Sequence, residues 1–301
     1  MPALRTLLFA PGNHPRKVEK VFGLQADAVI LDLEDAVANN EKIATRAPVL
    51  DALQRNHASR GENGGSGKSL GYVRVNALDT EFCFADLHFM VAEGVDGIVL
   101  PKLEDTKQLF AAEWMISELE HERGLVAGSI DLIPIIETAR GLRAIDDICS
   151  SGTRVKRYAF GAGDYTTDLN MDWSNDEFEF EHARTAIAVA SRAAELEPPL
   201  DTVWVEIKDE AGFERSCERA RKLGYQGKMC IYPPQIAVAN RVFAPTPEQL
   251  AYAELVVKAF EKAEREGSAS IQIDGHFVDY PIVEKARRVV ALAQRIAGVS
   301  S

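Results

Sequence analysis

The chain has 301 residues, 46% of them hydrophobic and 27% charged, which is enough to bury one barrel-sized core or two smaller ones. A net charge of −12 at pH 7 argues against nucleic acid or an anionic membrane as the main partner. Four widely spaced cysteines without a CxxC pair, and the lack of a signal-peptide or membrane-spanning run, predict a soluble cytoplasmic protein.

Eight β-rich runs alternate with longer helical patterns along the chain. These strand candidates are 6–10, 28–33, 72–76, 97–100, 132–136, 157–160, 202–207 and 228–232. Segments between them, such as 106–122 and 181–196, repeat apolar residues at spacings of three and four, as amphipathic helices do. Eight apolar strands separated by helices predict a closed (β/α)₈ TIM barrel with a parallel sheet. A doubly wound open sheet is the alternative, although it more often carries a glycine fingerprint after its first strand.

Two of the predicted strands are followed by an acidic side chain. Glu137 follows the run 133–136, and Asp164 follows a glycine-flanked turn after 157–160. A charged group beside an apolar run needs compensation, and a divalent cation compensates two converging carboxylates well. Glu137 and Asp164 are therefore candidate metal ligands. The alternative is that both are solvated acids at the starts of loops.

In a barrel, the side chains that follow the strand ends share one rim, which is where active sites are built. The polar residues predicted there are Asp32, Glu34, Asp35, Arg74, Asn76, Lys102, Glu137, Asp164, Glu206 and Tyr232. Asp32, Glu34 and Asp35 cannot all point inward, so some of them are expected to contact metal-bound water. Arg74 can instead pair with a neighbouring acid, and Lys102 can simply neutralise the acidic cluster.

Seven sequence blocks, in order, carry a family resemblance. They are LLFAPGNHPRK, AVILDLEDAV, VRVNALDT, GIVLPKLE, IPIIETARGL, FGAGDYTTDL and GYQGKMCIYPPQI. The chain resembles the citrate lyase β-subunit (CitE-like) branch of the HpcH/HpaI aldolase superfamily, which includes malyl-CoA and citramalyl-CoA lyases. The resemblance implies a (β/α)₈ barrel, usually a homotrimer, that binds Mg²⁺ and cleaves or forms a C–C bond next to a CoA thioester.

The resemblance also implies roles for individual residues. Glu137 and Asp164 match the Mg²⁺ ligands, and Arg74 matches the catalytic arginine that grips the substrate carboxylate, with Lys102 expected beside it in substrate binding. A bidentate arginine suits this task because its planar fork matches a carboxylate. Two departures from the family pattern are Tyr232, where histidine is usual, and Glu206, where aspartate is common.

Residues 236–301 are more than a bare barrel of residues 1–235 needs, and they predict a C-terminal lid extension. The pattern indicates a helix at 247–266, a hairpin turning at Asp274 and Gly275, and a helix at 281–297. The block GHFVDYPIVEKARRVVALA resembles the lid of malyl- and citramalyl-CoA lyases, which implies that Asp279 is the catalytic acid/base of a neighbouring subunit's site. The alternative is that Asp279 only caps the last helix.

Two further signals carry less weight. The GGSGKS run at 64–69 lacks the first glycine of a phosphate loop and is interpreted as a surface loop. Arg16, Lys17 and Lys20 form a small basic cluster that could equally face CoA phosphates or be a solvated helix start.

The favoured hypothesis is a Mg²⁺-dependent lyase acting on a 3-hydroxy-dicarboxylyl-CoA thioester of the malyl-, citramalyl- or citryl-CoA type. An acyl-CoA thioesterase, an aldolase on free 2-keto or 2-hydroxy acids, and a citrate lyase complex subunit stay open as alternatives. A homo-oligomer, most simply a trimer, is expected, with no nucleic-acid or membrane partner.

Overall fold

The computed structural model describes residues 3–62 and 69–298. Its barrel strands are β1 (Thr6–Pro11), β2 (Ala28–Asp32), β3 (Leu70–Arg74), β4 (Gly97–Leu100), β5 (Asp131–Ile136), β6 (Ala159–Phe160), β7 (Leu200–Asp201) and β8 (Gly227–Cys230). Each strand pairs in parallel with the next, and β1 also pairs with β8, which closes the ring. The predicted TIM barrel is confirmed, and the open-sheet alternative is wrong. Residues 64–68 of the GGSGKS run lie outside the described part of the chain.

Helices connect the strands and cover the outside of the barrel. They are α1 (Pro15–Val21), α2 (Lys42–Glu62), α3 (Cys83–Met90), α4 (Thr106–Glu122), α5 (Ala139–Arg143), α6 (Ile145–Cys149), α7 (Ala162–Leu169), a 3₁₀ turn (Phe178–Phe180), α8 (Glu181–Ala193), α9 (Glu210–Lys222) and α10 (Gln235–Val242). The helix predicted at 106–122 has these bounds in α4, because Asp105 caps its first turn by accepting from the Gln108 N–H. No helix within the two described ranges is long and apolar enough to cross a bilayer.

The interior of the barrel is filled by side chains from alternate strand positions. Leu7, Ile30, Val99, Ile133 and Met229 are buried in one cluster there, each 3% exposed or less. The intervening strand residues are buried against the helices, so neither face of the sheet is exposed to solvent. This explains why the strands appear in the sequence as continuous apolar runs instead of alternating patterns.

Strand seven differs from its prediction. The pattern of apolar residues predicts a strand at 202–207, whereas β7 ends at Asp201 and the following segment is a loop. Thr202 ends the ladder by using its hydroxyl to accept the Ala162 N–H at 2.8 Å. Glu206 lies in this loop, beyond the end of β7, so the prediction that it follows a strand end is wrong. Val205 is 47% exposed and Glu206 is also exposed.

Four charged side chains are buried together next to β7 and β8: Glu177, Arg184, Asp201 and Lys228. Asp201 accepts from Arg184 Nε and Nη2 at 2.8 and 3.0 Å, and from Lys228 Nζ at 2.5 Å. Glu177 lies 3.1 Å from Arg184 Nη2 and accepts from the Ser216 hydroxyl. Burial alone would raise the pKa of Asp201, but the two cations outweigh it and lower that pKa. The network holds α8 against the strands.

Removing Asp201 is therefore expected to be costly. Asp201→Ala leaves the Arg184 and Lys228 cations buried without their shared partner, and such a loss costs about 3–5 kcal/mol. Urea unfolding followed by circular dichroism measures it. The control is Glu218→Ala, which removes an exposed ion pair to Lys222 and is expected to cost at most about 0.5 kcal/mol. Equal effects of the two substitutions would contradict a structural role for the network.

The chain divides into two compact units, residues 4–240 and a second unit that contains residues 241–298. The second unit consists of α11 (Pro247–Arg265), the hairpin strands β9 (Ile271–Ile273) and β10 (His276–Val278), and α12 (Tyr280–Ile296). Its own core includes Val256, Phe260 and Val283. The predicted hairpin is confirmed, and its turn residues Asp274 and Gly275 adopt φ of 48° and 81°, as a two-residue type I′ turn requires.

Candidate active site

A cavity of about 480 Å³ opens at the carboxyl end of the barrel. Its charged lining residues are Lys17, Asp32, Asp35, Arg74, Glu137 and Asp164, and its apolar ones include Phe9, Ile135, Val203, Met229 and Ile231. The acidic wall comes from the ends of β2, β5 and β6, and the apolar wall comes largely from β1, β7 and β8. The structure therefore places five of the ten predicted rim residues in the cavity lining, and Glu34 and Lys102 contact residues of this set.

Arg74, the last residue of β3, reaches across to the end of β2. Its Nε and Nη2 donate to the two carboxylate oxygens of Asp32 at 2.7 and 2.6 Å. Asp32 also accepts the N–H groups of Glu34 and Ala36. Burial would raise the pKa of Asp32, but Arg74 and these hydrogen bonds lower it. Asp32 is thus a buried anion that orients the guanidinium, which also stacks 4.9 Å from the Phe9 ring.

Lys102 links the acidic residues of the rim. Its Nζ donates to Glu34 Oε1 at 2.6 Å and lies 3.6 Å from carboxylate oxygens of Asp35 and Asp164. Glu34 also contacts Arg74 Nη1 at 3.1 Å. Burial nevertheless raises the pKa of Glu34, while the surrounding carboxylates outweigh burial and raise the pKa of Lys102. Lys102 neutralises the acidic cluster, as the alternative in the sequence analysis proposed, and its role toward a substrate stays a prediction.

Glu137 directly follows β5 and is 3% exposed. Its Oε1 accepts the backbone N–H of Lys102 at 2.7 Å. Lys102 has a φ of 51°, an uncommon value for a residue with a side chain. Burial and the nearby Asp164 carboxylate raise the pKa of Glu137 to about 8. The Arg74 guanidinium opposes this rise in the pKa of Glu137 but does not cancel it.

Asp164 lies in the first turn of α7, where the helix dipole favours a negative charge, and its side chain is 33% exposed. Glu137 and Asp164 present hard oxygen ligands to the cavity, which Mg²⁺ prefers. Among the described residues there is no group of three or more His, Cys, Asp or Glu that could hold a metal. Two carboxylates suit Mg²⁺, because this ion usually keeps several of its waters. The residues present therefore fit the predicted ion.

Two further residues are predicted from the sequence to serve the site, Tyr232 at the rim and Asp279 in the lid. Tyr232 follows the end of β8 and is 39% exposed. The Gln235 carboxamide ends β8 there by accepting the N–H groups of Ile231 and Tyr232 and by donating to the Trp204 carbonyl. Asp279 belongs to the second compact unit and caps α12 by accepting the Ile282 N–H at 3.4 Å. The capping role is thus present, and the catalytic role of Asp279 stays a prediction.

Lys42 supports the acidic rim and is not among the site residues predicted from the sequence. Its buried Nζ donates to the carbonyls of Leu33 and Glu34 at 3.0 and 2.6 Å and to Asn76 Oδ1 at 2.7 Å. Burial lowers the pKa of Lys42. Lys42 thereby fixes the backbone that carries Glu34. Only its position within the first turn of α2, close in sequence to this loop, could have indicated it.

The geometry of Arg74 yields a prediction about its replacement. Asp32 accepts from Nε and Nη2, and Glu34 lies 3.1 Å from Nη1, so a ligand carboxylate would share the guanidinium with these two acids. The ammonium group of lysine lacks the planar fork with which arginine binds carboxylates through paired hydrogen bonds. Arg74→Lys is therefore expected to lower kcat/KM almost as much as Arg74→Ala. Steady-state kinetics of both variants measures this. Near-normal kcat/KM in Arg74→Lys would mean that Arg74 serves only to pair with Asp32.

A closed (β/α)₈ barrel whose charged cavity follows the carboxyl ends of its strands has the architecture of the TIM-barrel enzymes. Residues 5–233 match the HpcH/HpaI aldolase/citrate lyase family, and the chain belongs to that family.

Two curated relatives extend the match over nearly the whole chain. Citrate lyase subunit beta of Leuconostoc mesenteroides subsp. cremoris is 38% identical over 289 residues, covering 96% of this chain and 93% of that protein. A (3S)-malyl-CoA thioesterase of Cereibacter sphaeroides is 33% identical over 293 residues, covering 97% and 95%. Among solved structures, protein CitE from Mycobacterium tuberculosis, in complex with magnesium, acetoacetate and coenzyme A, is 27% identical with a TM-score of 0.73, covering 97% and 98%.

Proposed function

We propose that this protein is a Mg²⁺-dependent lyase that cleaves or forms a C–C bond in a 3-hydroxy-dicarboxylyl-CoA thioester of the malyl-, citramalyl- or citryl-CoA type. The observation that carries the proposal is the convergence of Glu137 and Asp164 with Arg74 on one cavity. A hydroxy- or keto-acid ligand needs a cation for its oxygen atoms and a partner for its carboxylate. Two acids suit the hard cation, and a guanidinium suits the carboxylate. The solved CitE structure with magnesium and coenzyme A supports the same class of ligands.

Glu137 and Asp164 would hold the Mg²⁺. When bound, the ion supplies a Lewis acid that polarises an oxygen of the substrate. Arg74 would bind the substrate carboxylate at Nη1, in place of Glu34, which lies 3.1 Å from that atom, while Asp32 holds Nε and Nη2. The apolar residues Val203, Met229 and Ile231 would line the opposite wall and keep water from the reacting carbons. The chain's residues thus bind and orient the acid part of the thioester.

Cleavage also requires a proton to move. The 3-hydroxyl group loses its proton, the C2–C3 bond breaks, and a carbonyl product and a thioester enolate form. The enolate carbon then takes up a proton to give the acyl-CoA product. We assign this acid/base work to Asp279, because Glu137 and Asp164 would be poor bases while bound to a cation. Asp279 would act in a neighbouring subunit of a homo-oligomer, most simply a trimer.

Thioester hydrolysis is the second candidate function, favoured by the relative named as a (3S)-malyl-CoA thioesterase. Hydrolysis releases a free thiol, whereas C–C cleavage releases a carbonyl compound and keeps the thioester. The two activities are therefore separable by their products.

All four cysteines are free and buried, which suits a reducing compartment such as the cytoplasm, where we place the protein.

The test is an assay of the purified protein with Mg²⁺ on malyl-, citramalyl- and citryl-CoA, in which carbonyl product and free thiol are followed separately. A carbonyl product from at least one thioester, abolished by EDTA and restored by Mg²⁺, is the expected result. Thiol release without a carbonyl product would replace the lyase by a thioesterase. Activity on free hydroxy acids alone would remove the CoA thioester from the proposal.

A further inference from the structure

The Glu137 carboxylate lies directly against the backbone of Gly161, the residue between β6 and α7. A methyl group built on Gly161 would come within 2.3 Å of Glu137 Oε2, 2.7 Å of Glu137 Cβ and 2.9 Å of Ile135 Cγ2. Real β-carbons do not approach other atoms so closely. The space that Glu137 occupies therefore exists because residue 161 has no side chain.

The backbone conformation of Gly161 does not by itself require glycine. Its φ of −114° and ψ of 95° are open to any residue. Its N–H donates to the Ile136 carbonyl at 3.0 Å, so its position is tied to the residue that precedes Glu137. The cost of a side chain at residue 161 thus comes from contact, chiefly with Glu137, and not from backbone strain.

The backbones of Lys102 and Gly161 consequently contact the two carboxylate oxygens of Glu137. Oε1 accepts the Lys102 N–H at 2.7 Å, and Oε2 lies over the bare Cα of Gly161. We infer that Gly161 is a positioning residue that sets the orientation of the Glu137 carboxylate, and thereby the affinity of the site for its divalent cation. This inference rests on the proposed role of Glu137 as a metal ligand.

The test uses Gly161→Ala with Gly163→Ala as a matched control. Gly163 is two residues further along the chain, and a β-carbon there would meet nothing within 4 Å. Both proteins are titrated with Mg²⁺ by calorimetry at neutral pH, and their thermal unfolding is followed without metal. Gly161→Ala is expected to raise the Mg²⁺ dissociation constant by ~10–100-fold, the scale for residues that orient metal ligands. Gly163→Ala is expected to stay within about twofold of the parent protein.

A second pair of variants tests whether the effect acts through Glu137. Glu137→Asp withdraws the carboxylate by one methylene group, which removes the shortest of the three close contacts, while those with the β-carbon of residue 137 at 2.7 Å and with Ile135 Cγ2 at 2.9 Å remain. Gly161→Ala is expected to lower the midpoint of metal-free thermal unfolding by on the order of 2–10 °C in the parent protein, and by less in the Glu137→Asp background. If Gly161→Ala alone does not fold, the double variant still must fold.

Several outcomes would overturn the inference. They are an unchanged Mg²⁺ affinity in folded Gly161→Ala, an equal loss in Gly163→Ala, and a temperature shift that is the same in both Glu137 backgrounds. An unfolded double variant beside a folded Glu137→Asp would also overturn it. These measurements need no thioester, so failure of the proposed lyase reaction is seen separately, as normal Mg²⁺ binding by the parent protein without turnover.

Discussion

Glu137→Gln is expected to lower kcat/KM by ~10²-fold or more, because the cation that Glu137 would hold is worth several kcal/mol in a reaction of this kind. Glutamine is nearly isosteric, so it can still accept the Lys102 N–H that Glu137 accepts at 2.7 Å. The metal-free fold is not expected to weaken at pH 8, since the substitution removes a negative charge from a site that is 3% exposed.

Steady-state kinetics, Mg²⁺ calorimetry and thermal unfolding together check this prediction. The expected pattern is lost turnover and weakened Mg²⁺ binding with an unfolding temperature that does not fall. Glu118→Gln is the control, since Glu118 is an exposed acid on α4 and is expected to leave all three measurements unchanged. Full activity in Glu137→Gln would remove Glu137 from the metal site.

Asp279→Asn is the second substitution with a large expected effect. If Asp279 is the acid/base, kcat falls by ~10²-fold or more while Mg²⁺ binding is retained. Asparagine is as good a helix N-cap as aspartate, so the cap of α12 survives the exchange. Loss of activity without loss of thermal stability therefore separates chemistry from capping. Normal kcat in Asp279→Asn would mean that Asp279 serves only as the N-cap of α12.

A mixing experiment tests whether Asp279 serves a neighbouring subunit. Inactive Asp279→Asn and inactive Glu137→Gln proteins are combined under conditions in which subunits exchange. Partial activity is expected to return, because some subunit pairs then combine an intact Asp279 with an intact Glu137. Mass spectrometry of isotopically labelled protein demonstrates the exchange. An exchanged mixture that stays inactive would contradict action between subunits.

The sequence predicts the barrel well because parallel strands buried on both faces leave a simple pattern of apolar runs. Strand ends are less predictable, since side chains far along the chain decide where a ladder stops. Thr202 ends β7 by bonding the Ala162 N–H, and Gln235 ends β8 by bonding the Ile231 and Tyr232 N–H groups. For this reason the predicted strand at 202–207 is wrong although the segment is rich in apolar residues.

The cavity residues Asp32, Arg74, Glu137 and Asp164 could be predicted because the chain direction puts all strand ends on one rim. Their pairing could not. Whether Arg74 meets Asp32 or a ligand depends on side-chain directions that no sequence pattern encodes. The same holds for Lys42, whose partners are two backbone carbonyls and an amide oxygen.

A crystal structure of the protein grown with Mg²⁺, with Mn²⁺ substitution to identify the ion by anomalous scattering, shows directly whether Glu137 and Asp164 bind the cation. We expect one ion bonded to Glu137 and Asp164 at about 2.1 Å for Mg²⁺, with water or ligand oxygens completing an octahedron. An ion bound elsewhere, or a cavity that stays free of metal at millimolar Mg²⁺ while the enzyme turns over, would contradict it.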